Sequence, residues 1–165
     1  MDVGRRPFRA RYVIGRAELA AWQAREWLQP GSSNHGAYVD SVLPVEQAGL
    51  VETVDEGFDH ARGLSILSLP GHSPGQIGLD LDCGEGRHVL FCGDAIHSPA
   101  QVFAPEWSSA FCSNPAQAVA SRVGLFDRSA GDGSMIAPSQ IRNALGFHVE
   151  RRAGAYRPEF ALGTA

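Results

Sequence analysis

Three short β-prone runs, each closed by a glycine- or proline-bearing loop, constrain this chain more than any other feature. Leu64-Ser65-Ile66-Leu67-Ser68-Leu69 ends at Pro70-Gly71. Ile77-Gly78-Leu79-Asp80-Leu81-Asp82 alternates apolar and polar residues with period two, as a half-buried strand does. His88-Val89-Leu90-Phe91-Cys92 is more continuously apolar and reads as a more buried strand that ends at Gly93-Asp94. Successive strands separated by tight turns predict a sheet, and both polar loops then fall at strand ends, where a side chain is free to do chemistry.

The flanking segments read as mixed structure. Residues 11–14 form a short β-prone run. Residues 16–28 predict a helix with Leu19, Trp22 and Trp27 as its apolar stripe, closed by Pro30-Gly31. A second helix is expected over 38–48. It is kinked at Pro44 or begins there, and Gly49 breaks it. A strand follows at 50–54. Asn114-Pro115 pairs a capping side chain with proline at the first helical position. That helix is expected to run to about Arg128, burying Val119, Val123 and Phe126. Asp132-Gly133 reads as a turn and 134–137 as a strand. Residues 147–150 and 156–157 flank Ala153-Gly154 as a closing hairpin. Strands and helices without strict alternation predict a layered α/β (α+β) arrangement with a mixed or antiparallel sheet. The 165 residues suffice for one domain over 1–165.

Composition excludes several functions. The hydrophobic fraction of 44% and charged fraction of 19% fit a globular core. A net charge of −4 argues against nucleic acid or an anionic membrane as partner. The one basic cluster, Arg5, Arg6, Arg9 and Arg11, reads as solvated surface. Cys83, Cys92 and Cys112 are odd in number and form no CxxC pair, so free thiols and a reducing cytoplasm are expected. No apolar run is long enough to span a bilayer.

The chemistry concentrates in two loops. Pro70-Gly71-His72-Ser73-Pro74-Gly75-Gln76 places an imidazole at a strand end, and imidazole is a good zinc ligand. Phe91-Cys92-Gly93-Asp94-Ala95-Ile96-His97 delivers a carboxylate to the same kind of place, and a carboxylate can bind one metal ion or bridge two. Each also has a plain reading as a turn.

Taken together, Gly71-His72-Ser73-Pro74-Gly75 resembles the third metal-binding motif of the metallo-β-lactamase superfamily, and Gly93-Asp94 resembles the fourth. Residues 35–38, 40–44, 93–97 and 105–109 look like the branch that holds lactone- and organophosphate-hydrolysing enzymes. The likeness runs from about Phe8 to about Phe160. It implies part of an αβ/βα sandwich, one or two zinc ions, hydrolysis of a small-molecule ester, lactone or phosphoester, and His72 and Asp94 as metal ligands. His97 is then a candidate for a catalytic or supporting role, and Trp107 either lines a substrate pocket or packs.

Two departures oppose full activity. The family's His-x-His-x-Asp-His motif has no counterpart, since no two of the six histidines lie within two residues of each other. The chain is therefore expected to be a shortened product that lacks the N-terminal half. Near the C-terminus Gln140 stands where the family places a histidine, and a glutamine is a poor zinc ligand. His148 could replace it only if its loop folded back. His35, His60 and His88 read as surface residues. The alternatives are a hydrolase completed by another segment, with weak metal binding alone, and an inactive remnant or interaction module. Either one is expected to self-associate or to bind the missing half.

Overall fold

Two glycines explain how the second half of the chain closes on itself. Gly71 has φ +131°, and a Cβ there would lie 2.1 Å from the backbone nitrogen of Ala118. Gly93 turns at φ +52° directly after its strand. A side chain at Gly71 would push apart two loops that pack backbone to backbone, whereas at Gly93 it is the left-handed backbone that favours glycine. The computed structural model describes residues 10–24, 36–55, 57, 59–142 and 144–162, with side chains at 59, 60 and 162 left aside. They divide into two compact units, the first ending at Val54 and the second beginning at Asp55.

In the first unit, strand β1 (Tyr12–Gly15) pairs in parallel with β2 (Val51–Val54). Helix α1 covers Arg16–Trp22, with Leu19 and Trp22 only half-buried. The helix ends at Trp22 with Gln23 as its cap, short of the expected end at 28, and Trp27 lies outside the described residues. A π-helical turn at Tyr38–Val42 leads into α2 (Leu43–Gln47), with Pro44 in its first turn. Proline is tolerated there because the first-turn N–H groups have no partner within the helix, so the helix restarts at the proline.

The second unit is a seven-stranded sheet in sequence order: β3 (Asp59–Ala61), β4 (Leu64–Ser68), β5 (Ile77–Asp82), β6 (His88–Gly93), β7 (Met135–Pro138), β8 (Ala144–Arg152) and β9 (Ala155–Leu162). All neighbours are antiparallel except β6 and β7. The parallel pair needs a crossover, and helices α3 (Ala100–Phe103) and α4 (Pro115–Asp132) supply it. Neither β3 nor α3 stood out in the sequence.

Helix α4 is capped as its sequence implies. The Asn114 side chain accepts from the Gln117 amide at 3.1 Å, and Gly133 ends the helix in the left-handed conformation at φ 75°. Its buried stripe keeps Phe126 as expected and differs at the two valines. Ala118, Arg122, Leu125, Phe126 and Ser129 face inward, while Val119 and Val123 are half-buried. Arg122 on this inward face is fully buried, its guanidinium donating to the carbonyls of Ala95, Pro105 and Trp107.

One face of the sheet, carrying Leu90, Cys92, Ile136 and Phe147, packs with Leu125, Phe126 and Val102 into a single core. The opposite face carries Ile77, Leu79, Val89, Phe91, Met135 and Ala137, by the alternation of side chains along each strand. Cys83 is an exposed free thiol. Cys92 is buried, and burial pushes its thiol up to about 12. No described helix is long and apolar enough to cross a membrane.

Candidate functional site

The loops after β4, β6 and β7 meet at one edge of the sheet. The loop bearing His72 is bolted to the start of α4. The Ser113 amide donates to the His72 carbonyl at 2.9 Å and the Asn114 amide to Gly71 at 2.9 Å. The Ser121 hydroxyl donates to Pro70 at 2.7 Å. At the other end of the loop, the Gln76 side chain donates to the Cys92 carbonyl at 3.0 Å and ties the loop to the end of β6.

This scaffold brings four of the sequence candidates together. His72 Nε2 lies 3.7 Å from Asp94 Oδ2. The Gln140 side-chain amide donates to Asp94 Oδ1 at 2.8 Å. The His97 ring stands 4.8 Å from that of His72, centroid to centroid. Sequence reasoning missed one neighbour: Cys112 Sγ lies 3.9 Å from His72 Nδ1. No motif signals it, because it arrives from the loop before α4.

His97 is held by its backbone. Its amide donates to Gln101 Oε1 at 2.7 Å. Both ring nitrogens are buried with no hydrogen-bond partner among the described residues. The imidazole is held below its ordinary value, first by burial and then by the neighbouring His72. It therefore favours the neutral form.

Beneath the loop lies Arg122. Its Nε donates to the Ala95 carbonyl at 3.0 Å, and Nη1 donates to Pro105 at 2.5 Å and to Trp107 at 2.8 Å. The Trp107 ring is 61% exposed, so it packs into no core; its carbonyl, not its ring, is what the fold uses.

The remaining histidines lie elsewhere. His148 Nδ1 approaches the Gly133 carbonyl at 2.9 Å, at the start of β7, while Gln140 follows the end of that strand. His148 therefore does not replace Gln140. His88 is not a bare surface residue: Nδ1 sits 2.7 Å from Asp80 Oδ1, and Arg128 reaches the other oxygen at 2.6 Å. His35 and the side chain of His60 lie outside the described residues.

The donor set does not fit a catalytic zinc. Such a site needs three protein ligands and an open position. Among the described residues no group of three His, Cys, Asp or Glu side chains converges on one point. The third side chain at Asp94 is an amide that presents an N–H. Turned the other way, it would offer a neutral carbonyl, a weak zinc ligand beside imidazole.

No family model matches the sequence, and no curated protein does. Solved structures do. The hydrolase AbOPH of the β-lactamase superfamily aligns over 94% of this chain and 56% of its own, with TM-score 0.78 and 21% identity. AidC, a dizinc quorum-quenching lactonase, aligns over 93% and 54%, with TM-score 0.69 and 16% identity. An N-acyl homoserine lactone hydrolase aligns over 75% and 44%, with TM-score 0.57 and 22% identity. This chain thus spans about half the length of the hydrolases it resembles, and over that half it has the metallo-β-lactamase fold.

Proposed function

We propose that this chain is one half of a hydrolase of the ester, lactone or phosphoester type, and that alone it is catalytically silent. The observation that carries this reading is the His72–Asp94 pair. Two strand-end loops hold it in contact at 3.7 Å, while the third side chain on Asp94 is the Gln140 amide. The scaffold that presents the pair is intact, down to Gly71 and Gly93, and the means of activating water is incomplete. Hydrolysis then depends on a segment that supplies further ligands, from upstream or from another chain. The lactonase and hydrolase names among the structural neighbours support the substrate class.

Neither a serine elbow nor Cys92 supplies another nucleophile. The one Gly-x-Ser-x-Gly string, Gly71-His72-Ser73-Pro74-Gly75, joins the antiparallel strands β4 and β5 and is not the strand-to-helix turn of a nucleophile elbow. The Cys92 thiol is buried and pushed up to about 12, which leaves it protonated at neutral pH. The purified chain should hydrolyse aryl esters, N-acyl lactones and phosphotriesters no faster than a heat-denatured control, with or without added zinc. Zinc-dependent turnover abolished by His72→Ala or Asp94→Ala would make the chain a working enzyme and sink the reading.

A further inference from the structure

We infer that Gln140 takes over at Asp94 the cross-linking role of a metal ion, so that hydrogen bonds hold the site closed and a single change, Gln140→His, opens it to zinc. The inference rests on the reading of this edge as a hydrolase-type site, and it concerns what holds that edge together.

A metal bound between strand-end loops fixes them to one another. Here the same loops are joined by other means. The Gln140 amide bridges from the end of β7 to Asp94 at 2.8 Å. One residue earlier, the Ser139 amide points to the Gly93 carbonyl at 3.5 Å. His72 closes on the other oxygen of Asp94 at 3.7 Å, and its second ring nitrogen faces Cys112. The carboxylate therefore has one neighbour per oxygen, from two different loops.

The chemistry of the amide decides what this arrangement accepts. An amide N–H donates to a carboxylate oxygen and stabilises it without desolvating a second charge. The same N–H repels a cation at that oxygen. A histidine on the same backbone would offer an imidazole lone pair in place of that N–H, adding a third candidate ligand to His72 and Asp94. The β6–β7 register, which sets Gly93 beside Pro138, already brings position 140 within reach of Asp94.

The test is zinc binding and melting of the full chain and two variants, read without any activity assay. After dialysis against zinc, the wild-type chain should keep well under one ion and melt at the same temperature with zinc or chelator. Gln140→His should hold about one zinc per chain. It should melt about 5–10 °C higher at a roughly hundredfold excess of zinc over Kd. Gln140→Leu, which keeps the size and loses the donor, should melt about 2 °C lower than wild type and ignore zinc. Stoichiometric zinc on the wild-type chain, or a folded Gln140→His that gains none, overturns the inference. Should Gln140→His not fold, Gln140→Leu decides, and a melting temperature equal to wild type overturns it. Zinc-free turnover by the wild-type chain would sink the proposed silence and leave the inference standing; bound zinc without turnover would do the reverse.

Discussion

Arg122, buried without residual exposure, donates its Nε–H to the Ala95 carbonyl at 3.0 Å, one residue beyond Asp94. Its Nη1 also holds Pro105 and Trp107, so one guanidinium fixes both ends of the segment that follows the candidate site. Its partners are three backbone carbonyls with no carboxylate among them, and burial lowers its pKa from the ordinary arginine value. Arg122→Met removes these donors; the Trp107 carbonyl keeps the Gln101 amide at 2.9 Å, while those of Ala95 and Pro105 lose the guanidinium. A loss of about 2–4 kcal/mol in urea unfolding is expected. Arg122→Lys restores a charge without the fork and should recover only part of it. A Met variant as stable as wild type would show that water replaces the guanidinium at no cost.

Acid should loosen the end of α4 through Asp132. Burial pushes its carboxyl up, but hydrogen bonds from the Ser134 hydroxyl and amide, at 2.5 and 2.8 Å, and the Arg128 contact at 3.2 Å outweigh it. The net shift is downward. A carboxyl held below its unfolded value contributes stability that is present above that value, near pH 4, and is lost as pH falls through the folded one. Thermal melts between pH 5 and pH 3 should therefore fall more steeply for wild type than for Asp132→Asn. Parallel profiles would remove Asp132 from the acid limb.

Strand positions were legible because period and punctuation agree. The run 77–82 alternates cleanly and is bounded by turns, and it forms the expected strand. Asn114-Pro115 and Gly133 mark the ends of α4 by local chemistry that needs no tertiary context. His72 and Asp94 could be paired from the sequence because both follow strands that neighbour the same intervening strand. Arg122 could not. A charged residue at a helical position reads as solvent-facing until tertiary carbonyls converge on it. Cys112 beside His72 depends on how the α4 loop folds back, a contact forty residues apart that no period encodes. The short strand 59–61 carries too few residues for any pattern to register.

Phe91 is the last relationship with a measurable consequence. It is 43% exposed on β6, and its registered neighbours across the strands are Leu79 and Ala137. Val89 lies two residues away on the same face, opposite Met135. The core residues of both helices in this unit pack on the other face, with Leu90, Cys92 and Ile136. An apolar strip on a sheet face, bounded by no charge of its own strands, favours association. We expect concentration-dependent self-association in sedimentation velocity, at ionic strengths where surface charges are screened. Phe91→Ser should reduce it, since it removes apolar area at the strip's most exposed point, about 1.5–3 kcal/mol of burial for a fully covered phenylalanine. It should cost the fold little, because a side chain already so exposed contributes little to the core. A wild-type chain that sediments as a single monomer across its whole soluble range would show that this face needs no cover. A Phe91→Ser chain that associates as strongly as wild type would place the contact elsewhere, with exposed Phe111 and Leu145 the next residues to change.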